Sequence, residues 1–195
     1  MSQNQRLQLQ SIANIRMGYP FRKAIEQDPT GTVGIIQMKD FTEFHRINLA
    51  DIYRVSLSQG EADRHLLRHN DILFRSRGVT NHAAIVPPEI QNCVASQHLT
   101  ILQIRSQQVD PGYVAWYLNH PKTQERLRRS AEGTSLMMIN TKAIGEFEIE
   151  VPPLEKQQEI SILGEYSRQE QELLAKLAER RKLLIDHVLM HQVGG

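Results

Sequence analysis

A single cysteine, Cys93, is all that this 195-residue chain offers for disulfide chemistry. No intramolecular disulfide can form, and nothing demands an oxidising compartment. No cysteine–histidine spacing suggests a zinc site. His65/His69 and His187/His191 are each spaced i, i+4, but no HExxH arrangement accompanies them. Exposed polar helix positions account for them, and no metal is expected. The longest apolar runs are a handful of residues, far short of the roughly 20 that span a bilayer. The opening stretch MSQNQRLQLQSIANIRMG lacks the apolar core of a secretory leader. A soluble, cytoplasmic protein without membrane contact is the expectation.

An excess of charge is missing too. Lys and Arg number 23 against 22 Asp and Glu, a formal net charge of +1. Such a balance neither announces a nucleic-acid binder nor excludes one, because a local patch decides. Catalytic sets are absent: there is no phosphate loop ending in GK[ST] and no GxSxG. An adenine-methyltransferase (N/D)PP(Y/F) box is absent as well. Pro152-Pro153 has neither the preceding polar residue nor the following aromatic, and reads as a helix start. No PD-ExK nuclease motif can be assembled. The chain is expected to be a binder rather than an enzyme, with no catalytic residue and no cofactor of its own.

What is present divides in two at the proline pair, into residues 1–152 and 153–195. In the first part, runs rich in Ile, Val, Leu and Phe predict short strands: VGIIQM (33–38), DILFR (71–75), AAIVP (83–87), LTILQI (99–104) and EFEIEV (146–151). Turn signals separate them. Asp110 can cap a helix beginning at Pro111, and Pro121 restarts a helix that Gly133 follows. Ser58 with Glu61 suggests a capping box, and Asn140 can cap a short turn that Gly145 would stop. From Glu155 onward the chain carries seven acids and six bases, and no proline. Ile160, Leu163, Leu174, Leu177, Leu184 and Val188 fall on the a and d positions of one heptad frame. A helix of about 37 residues would reach about 55 Å. Such a stripe calls for another helix. Ser167, Glu170, Arg181 and His191 share the seam, which favours an antiparallel or four-helix arrangement over a parallel zipper. The fold class expected is α+β, a globular domain of short strands and helices followed by a long coiled-coil-type helix.

Four strings, in order, resemble one half of a type I restriction–modification specificity subunit. NDILFRSRGVTNHAAIVP (70–87) is similar to that family's "GDILFSRSG…G…AIVP" segment. VDPGYVAWYLNHPKTQERLRRSAEGTS (109–135) resembles "I.P.YL.YYLNSP..R..L...A.GT". MINTKAIGEFEIEVPPLEKQQEI (138–160) resembles "IN...L....IPLPPL.EQ..I", and the heptad-like helix follows it. Asn70 stands where the family often has Gly, and Arg75-Ser76-Arg77-Gly78 shifts the usual order slightly. Full-length members carry two such units; this chain carries one.

The resemblance implies a target-recognition domain that reads double-stranded DNA without catalysing anything. Arg75, Ser76, Arg77 and Gly78, with Thr80 and Asn81 after them, follow a strand. Arginine there can bond guanine bidentately or pair with phosphate; a solvated surface turn is the alternative. Gly133, Thr134 and Ser135 suit phosphate contact, or else a plain helix end. Lys122, Arg126 and Arg129 share a helical face that can follow a phosphate backbone, or simply face water. Gln37 and Lys39 follow the first strand and can read adenine and guanine. The long helix would dock DNA methyltransferase (modification) subunits using S-adenosylmethionine, with a restriction subunit adding ATP and Mg. A half-length chain is expected to pair with itself, helix to helix, and to read an inverted-repeat bipartite site. A silent or partial specificity fragment, or a protein-interaction adaptor without independent DNA binding, remain the alternatives.

Overall fold

A computed structural model describes residues 4–58, 60, 63–78, 81–130 and 139–193. Strand β1 (Gln5–Gln8) leads through the short helix α1 (Leu9–Ile12) into β2 (Ala13–Met17). Next come β3 (Val33–Ile36), a 3-10 turn at Met38–Asp40, and β4 (Tyr53–Val55). Then follow β5 (Ile72–Arg75), β6 (Ala83–Ile85), β7 (Cys93–Ala95) and β8 (Leu99–Ile104). Helices α2 (Pro111–Asn119), α3 (Pro121–Ser130) and α4 (Thr141–Glu146) precede β9 (Glu148–Val151), and α5 (Leu154–Val193) completes the order. The architecture is α+β with a long C-terminal helix. The helix expected from Ser58 depends on Glu61, which lies outside the described residues.

Among the described residues the strands form three sheets. One is the antiparallel pair β1–β9; the second runs β2–β8–β5–β6; the third runs β4–β3–β7. Strands β5, β6 and β8 of the second sheet are buried on both faces over most of their length, which is why they read as continuous apolar runs; the edge strand β2 alternates instead. Ile72, Phe74 and Leu102 face a core shared with α1, α2 and α4. Leu73, Leu99 and Ile101 face the other way, against Ile36, Ile47 and Val86. At the outer strand β6, the Asn119 side chain substitutes for a missing strand neighbour. Its Oδ1 accepts from Ala83 N and its Nδ2 donates to Ala83 O, both at 2.8 Å. The predicted caps form: Asp110 accepts from Tyr113 N at 2.7 Å, and Asn140 accepts from Ala143 N at 2.8 Å. The short helix after Asn140 runs past Gly145 to Glu146.

By contacts the chain divides into two compact units, residues 1–161 and 162–195. The first two turns of α5 therefore belong to the globular unit. Gly112 permits this, since a Cβ there would stand 2.0 Å from Ser161 Oγ. Gln157 is fully buried. Its Oε1 accepts from Asp110 N at 2.9 Å, and its Nε2 donates to Gln108 O at 3.0 Å and Pro152 O at 2.7 Å. One amide thus joins three segments. Gln157→Leu keeps the volume but strands a buried N–H and two carbonyls. We expect it to lower the unfolding free energy by about 3 kcal/mol, read by urea denaturation. A loss below about 1 kcal/mol would show that those groups find water instead.

Candidate functional site

Strand register brings several predicted residues to one border of the central sheet. Met17 pairs with Thr100, Arg75 with Leu99, and Phe74 with Ala83. The ends of β2 and β5 and the starts of β6 and β8 therefore lie side by side. Strand β3 runs parallel to β7, with Ile36 opposite Ala95, so the turn at 96–98 joins β7 to β8 at this same border. Loops on a rigid sheet edge are where binding residues concentrate.

Arg75 closes β5, and its main chain is held on both sides. Its N–H donates to His82 O at 2.8 Å, and its carbonyl accepts from Asn81 Nδ2 at 2.9 Å. Its guanidinium lies over the Phe41 ring, 5.9 Å from the centroid. Its buried Nε has no hydrogen-bond partner among the described residues. Arg77 and Gly78 are exposed. Gly78 has φ +107°, a conformation that L side chains rarely adopt. Two of the candidates turn inward. Ser76 donates through Oγ to His98 O at 3.0 Å. Asn81 is 1 % exposed, and its carbonyl accepts from Gln124 Nε2 at 2.7 Å. Both side chains shape the loop rather than its outer surface. Thr80, Gly133, Thr134 and Ser135 lie outside the described residues.

Gln37 and Lys39 reach the border through the 3-10 turn. Gln37 and Asp40 cap it reciprocally, and Asp40 Oδ2 accepts from Gln37 N at 2.7 Å. Gln37 Nε2 is left without a partner among the described residues. Lys39 sits over the Tyr53 ring at 3.8 Å and lies 3.5 Å from Asp40 Oδ1. Two histidines join the border that spacing alone did not suggest. His45, at φ +58°, packs against His82 with the rings tilted by 36° and centroids 4.1 Å apart. Lys39, Arg46, Arg75 and Arg77 outnumber the acids of these loops, buried Asp40 and exposed Glu43 and Asp51.

Burial, and then Arg75, push the His82 imidazole below its ordinary value of 6.5. As pH falls through that value the unfolded chain takes up the proton before the folded chain does, so stability is lost on acidification. Burial and the neighbouring Arg16 and Arg64 act on His65 in the same direction. The melting temperature should therefore be lower at pH 5.5 than at pH 7.5, and His82→Asn should narrow that difference. An unchanged difference would exclude His82 as a contributor.

The basic face of α3 does not join the border as a set. Lys122 is exposed. Arg126 turns toward the β1–β9 pair, donating to Glu148 O at 3.0 Å and Tyr117 Oη at 3.2 Å and stacking on Phe147 at 4.7 Å. Arg129 pairs with Glu125 one turn back. A helical-wheel argument gives the face but not these partners. Among the described residues no three His, Cys, Asp or Glu side chains come together to hold a metal. Among them, too, no helix is long and apolar enough to cross a membrane.

The sequence model of the type I restriction modification DNA specificity domain matches residues 1–179. The chain belongs to that family. No curated protein matches it. Among solved structures it is similar to the HsdS subunit from Thermoanaerobacter tengcongensis, at 18% identity and TM-score 0.62, over 90% of this chain and 39% of that one. A chain from a study of complex assembly and conformational transition of the type I R-M system matches at 17% identity and TM-score 0.66, over 95% of this chain and 43% of that one. The type I restriction–modification S subunit from M. genitalium matches at 17% identity and TM-score 0.59, over 95% of this chain and 44% of that one. These identities carry the fold alone. The specificity domain described here spans about two-fifths of the length of each.

The second unit of this specificity domain is helical throughout its described length. Leu163, Leu174, Leu177 and Leu184 are all more than half exposed, and Val188 nearly so. Ile160 departs from the expected stripe. It lies in the first unit, packed against the core around α2, because the buried Gln157 and the Gly112–Ser161 approach draw the first turns of α5 inward.

Proposed function

We propose that this chain is a non-catalytic DNA reader, the specificity component of a type I restriction–modification complex. The supporting observation is the gathering of Gln37, Lys39, Arg75 and Arg77 at one sheet border in a chain of this family. Rigid strand ends present side chains at reproducible depth, which base readout in the major groove requires. Phosphate contacts would set the register on the duplex. Methylation of adenine with S-adenosylmethionine would come from modification subunits, and ATP- and Mg-dependent restriction from a further subunit. Neither chemistry is assigned to residues of this chain.

The solved relatives are more than twice as long, and this chain is proposed to make up that length by pairing α5 with α5 of a second copy. A two-fold pair would read an inverted repeat whose spacer the helices set. The last turns of α5 support additional helical partners. Leu183, Leu184, Ile185, Val188, Leu189 and Met190 point around nearly the whole circumference, and all are exposed. A single partner helix covers one stripe only. Modification subunits are proposed to cover the rest.

Selection from a pool of randomised duplexes tests the reader directly. The bound fraction should converge on two inverted half-sites at fixed spacing. Convergence on one half-site alone would favour pairing with a different half-subunit. A pool that stays random while the chain is folded would overturn the reader in favour of an adaptor.

A further inference from the structure

A second positively charged surface lies beside the border, built from residues outside the reading set. The segment leaving β2 runs against the 96–98 turn: Gly18 N donates to Leu99 O at 2.9 Å, and Tyr19 N to Ala95 O at 2.7 Å. A Cβ on Gly18 would stand 2.2 Å from Ser96 O, so only glycine allows this approach. That same turn receives the Ser76 hydroxyl at His98 O. The reading loop and the 18–24 segment are therefore continuous through one turn.

Beyond Gly18 a cleft of about 550 Å3 opens. Its floor is aromatic: Tyr19 and Phe21 meet at a tilt of 55° with centroids 4.6 Å apart, and His65 meets Tyr19 edge-on at 5.2 Å. Its rim is cationic. Arg22, Lys23 and Arg64 are exposed, and none has a carboxylate partner among the described residues. Among the described residues, no acidic side chain lines the cleft. Arg16 stands behind His65, with Nη2 donating to Leu66 O at 3.2 Å and a buried Nη1 that has no partner among the described residues. Burial first, and then the charges of Arg16 and Arg64, lower the His65 imidazole below its ordinary value.

We propose that this cleft grips the phosphodiester backbone of the duplex whose bases are read at the neighbouring border, with deoxyribose faces against the Tyr19 and Phe21 rings. Its cations neutralise phosphates and carry no sequence information. This rests on the DNA-reading function proposed above and deepens it. It divides the recognition domain into a reading border and a holding cleft.

The full-length triple variant R22Q/K23Q/R64Q tests the division against a random-sequence duplex and a selected target. Each lost phosphate contact should make the dependence of log affinity on log salt shallower by about 0.9. The triple variant should therefore lose about 2 to 3 from the slope and weaken equally on both duplexes, leaving their affinity ratio unchanged. The charge-keeping variant R22K/R64K should retain the slope, because a backbone contact needs the charge and not the guanidinium fork. All the altered residues are exposed, so an unchanged melting temperature confirms the fold. An unchanged slope in the triple variant, or a collapse of the ratio, overturns the holding cleft while the reader stands. Absence of duplex binding by the unaltered chain at any salt overturns both.

Discussion

Replacing Leu174 and Leu177 together with aspartate should convert the proposed dimer to a monomer at every concentration that light scattering can reach. The two residues lie one helical turn apart and are 58% and 63% exposed in the single chain. In a two-fold pair, four leucines would leave water at once. Burial of the exposed three-fifths of each contributes about 1.5 kcal/mol, so roughly 6 kcal/mol is lost. That is about four decades in dissociation constant before the cost of placing four carboxylates in an apolar seam is counted. Both positions lie in residues 162–195, the unit separate from the globular core. Melting of that core should therefore not change. The unaltered chain is expected at twice 22.4 kDa and the variant at 22.4 kDa. A variant that stays at twice the chain mass would overturn pairing through these leucines. An unaltered chain that stays monomeric would overturn the homodimer and leave pairing with a different half-subunit.

Sequence pattern made the doubly buried strands legible. VGII, ILF and LTIL need apolar residues on both faces, and such runs stand out. Strands β1, β2, β4 and β7 escaped for different reasons. QRLQ is largely polar, ANIRM alternates over five residues only, and YRV and CVA are only three residues long. β1 finds its partner at the far end of the globular unit, where Gln5 pairs with Val151, and no local signal can announce that pairing. The same limit applies at the site. Arg75 and Gly78 could be placed at a strand exit because the strand and the turn are both local features. Ser76 and Asn81 could not be assigned a direction. A hydroxyl or an amide suits DNA as well as a buried carbonyl, and the carbonyls that claim them, His98 O and Arg75 O, are placed by the fold. Arg126 is drawn across to β9 for a comparable reason, since Glu148 O and the Phe147 ring lie some twenty residues on. The heptad frame identified Ile160 as stripe, but a frame cannot tell which helical turns a neighbouring domain will claim. The 18–24 cleft left no motif because its parts come from two distant segments.

Arg75→Gln should remove most of the discrimination between the selected target and random duplex. The guanidinium leaves the end of a strand whose main chain is fixed by His82 O and by Asn81 Nδ2, so its reach is set by the sheet rather than by a loop. It lies over Phe41, and its Nε has no partner among the described residues. A bidentate arginine–guanine contact contributes about 1–3 kcal/mol of discrimination, so the target-to-random ratio should fall roughly 5- to 150-fold. Affinity for random duplex should fall far less, and the salt slope should change by no more than about one contact. The fold should survive, because the two hydrogen bonds that hold this residue are made by its backbone. The substitution also separates the two roles open to an arginine at this border. An equal loss on target and random duplex, with a slope shallower by about 0.9, would make Arg75 a phosphate contact. The discriminating contacts would then fall to Gln37, Lys39 and Arg77, whose loops share the border.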